Sequence, residues 1–116
     1  MARVLLVEDD AEVRQLLEHV LLDGGYEVDA AAGINEAEAL LAGGNYALLL
    51  ADARLGDGSG MEFADRAMAA GTKAIIVTGY ALNLPPEARD FEILLKPVRP
   101  TELLQALERL LGPALG

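Results

Sequence analysis

Short apolar runs alternate with longer stretches of helical periodicity, and this alternation limits the possible folds of the 116-residue chain more than any other feature. Repeats of strand and helix favour a parallel sheet with helices packed against it. The runs are residues 4–7, 26–31, 47–51, 74–77 and 93–95. The second run is weaker, because Glu27 and Asp29 alternate with Val28, and this mixed character suits an edge strand; the third is apolar throughout, which predicts a central strand. A chain of this length forms one domain, so we predict a single α/β domain over residues 1–116.

Capping residues and apolar stripes indicate where the helices lie. Asp10 is a residue type that caps helix N-termini, and the helix after it carries an apolar stripe that we expect to be buried. That stripe consists of Val13, Leu16, Leu17, Val20 and Leu21. We expect the second helix to be capped by Asn35, with Glu38 as the reciprocal glutamate, and the third helix to be capped by Ser59.

Polar side chains follow four of the apolar runs, at the point where each run ends. Glu8 and Asp9 follow the first run, Asp52 the third, Thr78 the fourth and Lys96 the fifth. In an open parallel sheet the carboxyl ends of the strands share one edge, where ligands bind. Carboxylates gathered there repel each other unless a cation lies among them, and Mg²⁺ prefers carboxylates and water. The pattern therefore predicts a hard metal ion and phosphate chemistry at this edge.

Each of these polar groups also has a plain structural interpretation when it is taken alone. The acidic run Glu8-Asp9-Asp10 could simply favour the N-terminus of a helix, and Asp52 could cap a helix or turn. Thr78 could be an ordinary strand residue, and Lys96 a solvated charge. Their joint order along the chain, rather than any single residue, is what indicates a functional site.

The composition argues against several other classes of protein. The formal net charge is −10, whereas nucleic-acid-binding modules are normally basic. The chain has no cysteine, which excludes disulfides and thiolate metal sites. It shows no signal-peptide pattern and no apolar stretch near the ~18 residues of a membrane span, so we expect a cytoplasmic protein that does not bind membranes. His19 lies off the apolar stripe of the first helix and is expected to be a surface residue.

The ordered polar groups resemble those of the receiver domain of two-component response regulators. The matching segments are residues 4–10, 49–52 with 57–60, 76–79 and 95–97. The resemblance covers essentially the whole chain. It implies a flavodoxin-like (CheY-like) sheet of five parallel strands in the order 2-1-3-4-5, with helices on both faces.

In this resemblance Asp52 corresponds to the phosphoacceptor of a phosphorelay. It would accept a phosphoryl group from the phosphohistidine of a histidine kinase or a histidine phosphotransfer protein, in a reaction that needs Mg²⁺ or Mn²⁺. Asp9 would bind the metal directly, Glu8 through water, and Arg54 through its backbone carbonyl. The domain would catalyse only its own phosphorylation and dephosphorylation, and would not be an enzyme toward other substrates.

The resemblance also assigns roles to the residues at the ends of the last two strands. Thr78 would donate its hydroxyl to the phosphoryl group, and Lys96 would pair with a phosphoryl oxygen. The Lys96–Pro97 peptide bond would be cis. The domain would be a monomer or weak homodimer whose kinase docks beside the first helix, where the residues that lie away from the core stripe are Glu12, Gln15, His19 and Leu22.

Three features depart from the usual receiver pattern. Gly56 stands where many receivers have proline, so we expect a more mobile loop beside Asp52. Ile93 stands where the family has its switch aromatic, so the usual inward turn of an aromatic ring cannot report phosphorylation. The segment from Thr78 to Lys96 is shorter than is usual in receivers. Its residues 80–90 have an irregular pattern, and we expect at most one or two helical turns there, beginning at Pro85. Shortened receivers of this type resemble those fused to hybrid histidine kinases and some that stand alone.

Two other functions fit these residues less well, and one alternative stays open. A haloacid-dehalogenase-like phosphatase needs a second aspartate two residues after the nucleophile, where this chain has Arg54. A flavodoxin-like nucleotide or flavin protein would not place acids after its first strand, because they would repel a phosphate that has no metal. A degenerate pseudo-receiver that binds partners without phosphorylation is the alternative that stays open.

Overall fold

The computed structural model describes residues 2–79 and 92–112. The strands are β1 (Arg3–Val7), β2 (Glu27–Ala31), β3 (Leu48–Asp52), β4 (Arg54–Leu55), β5 (Gly58–Ser59), β6 (Lys73–Thr78) and β7 (Glu92–Leu95). The helices are α1 (Ala11–Asp23), α2 (Ile34–Gly43), α3 (Gly60–Ala69) and α4 (Pro100–Leu111). Within these ranges, no helix has both the length and the apolar character needed to cross a membrane. The helical turns predicted for residues 80–90 lie outside the described part of the chain.

The main sheet has the order β2-β1-β3-β6-β7, and its neighbouring strands are parallel. Counted along the chain without the small hairpin, this is the predicted order 2-1-3-4-5. The central position predicted for β3 from its continuous apolar character is confirmed, and so is the edge position of the mixed strand β2.

Alternate residues of the central strands face opposite sides of the sheet and enter two separate cores. On one side, Leu5, Leu49 and Ile76 pack with residues of α2 and α3. On the other side, Leu6, Leu50 and Ile75 pack with residues of α1 and α4. The helices therefore cover both faces of the sheet, as predicted. Among the described residues at the carboxyl edge, Asp9 and Lys96 are exposed, so this edge is open to water there.

Helix α1 begins as predicted, but its apolar stripe is only partly buried. Asp10 caps the helix, because its Oδ1 atom accepts hydrogen bonds from the backbone N–H groups of Glu12 (2.9 Å) and Val13 (3.2 Å). Leu17, Val20 and Leu21 are buried, whereas Leu16 is 57% exposed. The prediction that Leu16 belongs to the core is wrong, because the core behind α1 closes over Leu17, Val20 and Leu21 and leaves Leu16 at its margin. His19 is exposed as predicted.

The N-terminus of α2 is built differently from the prediction. The helix begins at Ile34 after Gly33, which has no side chain to act as a cap, so the cap predicted at Asn35 is wrong. The reciprocal glutamate is Glu36, whose Oε1 accepts a hydrogen bond from Ala32 N–H (2.9 Å), and not Glu38. Glu38 instead forms an ion pair of 2.7 Å with Arg66 of α3.

The segment between β3 and α3 is more ordered than the sequence suggested. Residues predicted as a loop form an antiparallel hairpin, in which Arg54 pairs with Ser59 and Leu55 with Gly58. Ser59 caps α3 as predicted, because its Oγ accepts a hydrogen bond from Glu62 N–H (3.3 Å). This hairpin, β4–β5, follows Asp52 directly and so forms one wall of the open sheet edge.

Candidate functional site

The carboxyl ends of four adjacent strands bring the predicted site residues to one edge of the sheet. Asp52 is the last residue of β3 and Thr78 the last residue of β6, while Glu8 and Lys96 follow β1 and β7. The ends of β6 and β7 are joined by a hydrogen bond from the backbone N–H of Lys96 to the carbonyl of Thr78 (2.9 Å). Parallel pairing in register therefore places residues far apart in the sequence in one cluster.

Asp52 lies at the centre of this cluster and is almost completely buried, with 9% of its surface exposed. Its Oδ1 atom accepts a hydrogen bond from the backbone N–H of Arg54 (3.2 Å). Its Oδ2 atom accepts one from the Lys96 ammonium, at 2.5 Å. A buried carboxylate needs such partners, because leaving water without them costs several kcal/mol, on the order of 2–7 even for a neutral polar group.

Glu8 is the most deeply buried acid of the cluster, with 1% of its surface exposed. Its Oε1 atom accepts a hydrogen bond from the backbone N–H of Asp10 (3.2 Å), and Oε2 lies 3.6 Å from the Lys96 ammonium. Burial raises the pKa of Glu8 to about 7, and the negative charge of Asp52 acts in the same direction, against the Asp10 hydrogen bond and Lys96. One ammonium therefore does not fully offset the acids of this site.

Lys96 faces both buried carboxylates. Burial lowers the pKa of Lys96, but the hydrogen bond and charge of Asp52, together with those of Glu8, outweigh burial and hold the pKa above its usual value. The lysine is therefore a fixed positive charge. The peptide bond between Lys96 and Pro97 is cis, as the family resemblance implied.

The oxygen atoms of the cluster suit a hard divalent cation. Glu8, Asp9 and Asp52 each offer a carboxylate oxygen, and these oxygens all lie within 4.8 Å of one another. Mg²⁺ and similar cations bind oxygen ligands and usually keep several waters. Asp9 is exposed, which leaves one side of the cluster open to water. The donor set and its surplus negative charge thus fit a divalent metal.

The remaining predicted residues lie around this cluster. Arg54 begins the β4–β5 hairpin directly beside Asp52, and Thr78 is buried at the end of the neighbouring strand. Ile93 is half-buried and packs against the core on the α2 and α3 side of the sheet. Gly56 lies in the turn of the hairpin, where an added Cβ would meet, within the described part of the chain, the Asp9 carboxylate at an ordinary 3.8 Å.

Two features of the site escaped the sequence analysis. Gly60 starts α3 against the carbonyl of Asp52, where an added Cβ would lie 1.7 Å from that oxygen. An apolar groove of about 350 Å³ runs from α1 to the loop after β7. Its lining residues are Val13, Leu16, Leu17, Val77, Lys96, Pro97 and Val98. The only sign of this groove in the sequence was the apolar stripe of five residues on α1. That stripe is wider than the elements packed against the helix can cover.

Comparison with known proteins decides the family. Residues 4–108 match the response regulator receiver domain. This chain belongs to the response regulator receiver family. The receiver protein CpdR of Brucella abortus is 33% identical over 96% of this chain and 98% of its own length. The regulator AlgB of Pseudomonas aeruginosa is 32% identical over 87% of this chain, which matches only 24% of AlgB.

Solved receiver structures share the fold closely. The response regulator TrrA of Thermotoga maritima, in complex with Mg²⁺-BeF, is 30% identical and superposes with a TM-score of 0.87 over 96% of this chain and 100% of its own. TrrA in complex with the histidine kinase ThkA superposes with a TM-score of 0.85, at 30% identity over 96% of this chain and 99% of that one. The receiver therefore takes part in two-component phosphorelay signalling. The other two functions considered, a haloacid-dehalogenase-like phosphatase and a protein that binds a nucleotide or flavin, are not supported.

Proposed function

We propose that Asp52 is the phosphoacceptor of this receiver, and that Glu8, Asp9, Asp52 and the Arg54 carbonyl hold the Mg²⁺ or Mn²⁺ ion that the reaction needs. The observation that carries this proposal is the 2.5 Å pair of Asp52 and Lys96 within the oxygen cluster of Glu8, Asp9 and Asp52. A carboxylate that is buried, held in one orientation and flanked by positive charge can act as a nucleophile.

In the proposed transfer, a carboxylate oxygen of Asp52 forms a bond to the phosphorus of a partner's phosphohistidine. The phosphorus–nitrogen bond breaks, and its electron pair stays with the imidazole nitrogen. The product is an acyl phosphate on Asp52. When bound, the cation would offset the negative charge of the phosphoryl oxygens. The domain would catalyse only this reaction and its own dephosphorylation, in which water attacks the phosphorus, inorganic phosphate leaves and the Asp52 carboxylate is regenerated.

We propose that Lys96 and Thr78 bind the phosphoryl group after transfer. The Lys96 side chain is 34% exposed, so its ammonium can turn from Asp52 toward an incoming phosphoryl oxygen. Thr78 ends the strand beside β3 and is tied through its carbonyl to the backbone of Lys96. We propose that the hydroxyl of Thr78 donates to a second phosphoryl oxygen, which would couple the product to the end of β6.

The phosphoacceptor proposal is tested by intact-mass measurement after treatment with acetyl phosphate and Mg²⁺. The parent chain is expected to gain the mass of one phosphoryl group, and none when Mg²⁺ is removed with a chelator. The Asp52→Asn variant is expected to gain nothing. Asp65→Asn, at an exposed position of α3, is the matched control and should behave like the parent chain. Equal mass gain in Asp52→Asn and the parent would show that another residue is modified.

The apolar groove beside α1 is the proposed docking surface for a helix of a histidine kinase or phosphotransfer protein. It is continuous with the site, because Lys96 and Pro97 line it. Leu16, in its wall, is 57% exposed although it is a large apolar side chain. The TrrA receiver forms a complex with a histidine kinase, which supports this type of partner. The four residues that lie away from the core stripe, beside which we expect the kinase to dock, are on the same helix: Glu12, Gln15, His19 and Leu22.

A Leu16→Asp variant is expected to slow phosphotransfer from the partner kinase by at least about tenfold, because a charge would have to be buried in the docked groove. Modification by acetyl phosphate, which needs no docking, should be unchanged. Met68→Asp is the matched control, since Met68 is also exposed but lies on α3, on the other face of the sheet. Transfer from the kinase that is equally fast in both variants would exclude this groove.

The receiver match covers residues 4–108, and we propose that residues 1–116 form one receiver domain. The monomeric or weakly dimeric state stays a prediction. Phosphorylation-independent binding, the pseudo-receiver alternative, is not favoured, because the acids, the hydroxyl residue and the lysine all lie together at the sheet edge.

A further inference from the structure

Asp57, in the turn of the β4–β5 hairpin, is bound to a helix more than twenty residues away in the sequence. Its Oδ1 atom accepts a hydrogen bond from the backbone N–H of Ile34 (2.8 Å), and Oδ2 accepts one from Asn35 (3.0 Å). These N–H groups belong to the first turn of α2, whose own capping position is Gly33. Asp57 therefore takes the place of a local cap and joins the hairpin to the helix.

Two glycines permit the close approach of hairpin and helix. A Cβ atom on Gly33 would lie 2.8 Å from Oδ1 of Asp57. Gly58 has a φ of +152°, and a Cβ there would lie 2.8 Å from Cδ1 of Ile34. Ile34 and Leu55 of the hairpin are both buried in the core between the sheet and helices α2 and α3. The Asp57 carboxylate is itself exposed, but the glycines and the buried side chains of Ile34 and Leu55 fit the hairpin closely against the helix beneath it.

The other end of the same hairpin forms part of the functional site. Arg54, its first residue, donates its backbone N–H to Oδ1 of Asp52 at 3.2 Å. The hairpin returns to the sheet at Gly60, whose N–H donates to the carbonyl of Ala53 at 3.0 Å. The hairpin thus has one end at Asp52 and its turn at the N-terminus of α2. Any tilt of the turn would move the backbone of Arg54.

We propose that Asp57 is a positioning residue, which holds the hairpin against α2 and so keeps the Arg54 carbonyl in place for the divalent cation. This inference rests on the proposed role of the acidic cluster as a metal site. Cation binding and the contact of Asp57 with α2 would then favour each other, since such coupling is reciprocal. In agreement, the N–H groups of Ile34 and Asn35 lower the pKa of Asp57, so the charged acceptor form is favoured there.

The first test is calorimetric titration with Mg²⁺ alone. Asp57→Ala is expected to weaken Mg²⁺ binding about tenfold, the lower end of what the loss of a supporting residue costs a metal site. Asp57→Asn should recover most of this affinity, because its carboxamide oxygen can still accept the hydrogen bond from Ile34. This rescue separates positioning from the loss of one negative charge.

Glu36→Ala is the matched control for that titration. It removes a carboxylate from the same end of α2, where Glu36 accepts a hydrogen bond from Ala32, but it breaks no contact with the hairpin. We expect unchanged Mg²⁺ affinity in this variant. If Glu36→Ala weakens binding as much as Asp57→Ala, the effect comes from general loosening of α2, and the proposal is overturned.

A second measurement uses the unmodified chain and does not depend on any variant being folded. Hydrogen exchange of the Ile34 and Asn35 amides should slow when Mg²⁺ is added, because the cation would hold the hairpin and with it Asp57. Unchanged exchange at both amides would overturn the coupling. If the parent chain itself binds no Mg²⁺, the proposed metal site fails; if it binds Mg²⁺ and Asp57→Ala binds it equally well, only the role of Asp57 fails.

Discussion

A Lys96→Met variant is expected to be phosphorylated by acetyl phosphate about a hundredfold more slowly than the parent chain. The ammonium of Lys96 lies 2.5 Å from Oδ2 of Asp52 and 3.6 Å from Oε2 of Glu8. It is therefore placed to offset negative charge that develops on the phosphoryl oxygens during transfer. Removing one preorganised group of this kind costs about 10²- to 10³-fold in rate.

The same variant is expected to bind Mg²⁺ more tightly. Without the ammonium, the buried carboxylates of Glu8 and Asp52 lose a partner, so a divalent cation gains more by binding among them. A lower rate together with a higher metal affinity is a combination that partial unfolding cannot produce. Titration calorimetry and the rate of mass gain measure the two quantities on one sample.

Lys73→Met is the matched control for Lys96→Met. Lys73, the other lysine of the chain, lies at the opposite end of β6 and donates from Nζ to the carbonyl of Leu110. Its loss should change neither rate nor metal affinity. Equal rates for Lys96→Met and the parent chain would show that Lys96 takes no part in transfer.

A Gly60→Ala variant is expected to lose about 3 kcal/mol of unfolding free energy, a large effect for one added methyl group. The new Cβ would lie 1.7 Å from the carbonyl oxygen of Asp52 and 2.9 Å from its carbonyl carbon. Both atoms belong to the backbone, so relief requires α3 and β3 to separate. The same shift would displace Asp52, the proposed phosphoacceptor, and its modification should fall in parallel.

Gly43→Ala provides the comparison for Gly60→Ala in urea denaturation. Gly43 is the last residue of α2, and a Cβ there would meet nothing within 4 Å. Alanine should stabilise that helix position by up to about 1 kcal/mol. If Gly60→Ala unfolds at the same urea concentration as the parent chain, the close approach of α3 to Asp52 is not a constraint on the fold.

The strands were predictable because each depends on a local pattern, whereas their order in the sheet was implied by the family resemblance. Val4–Val7 and Leu48–Leu50 are continuous apolar runs, and such runs occupy the centre of parallel sheets, buried on both faces. Asp10 and Ser59 were recognised as helix caps because the hydrogen bonds of a cap are made within three residues. In these cases the sequence neighbours are also the spatial partners.

The cap of α2 and the exposure of Leu16 could not be predicted in the same way. The acceptor for Ile34 and Asn35 comes from Asp57, 23 and 22 residues away, so no local pattern marks it. Leu16 has the spacing of a core residue, but spacing shows only which face of the helix it lies on. Whether each position on that face is covered depends on how the helix packs against the sheet and its neighbouring helix.

The candidate site also combines features that local sequence predicts with features that depend on contacts between distant segments. The position of Asp52, Thr78 and Lys96 at one edge of the sheet could be predicted from the sequence, because each follows an apolar run and a parallel sheet brings strand ends together. The short pair between Asp52 and Lys96, the burial of Glu8 and the junction of Asp57 with α2 were decided only by the tertiary structure. Local composition determines which residues end a strand; the strength of their interactions depends on distances and burial, which arise only when distant segments pack.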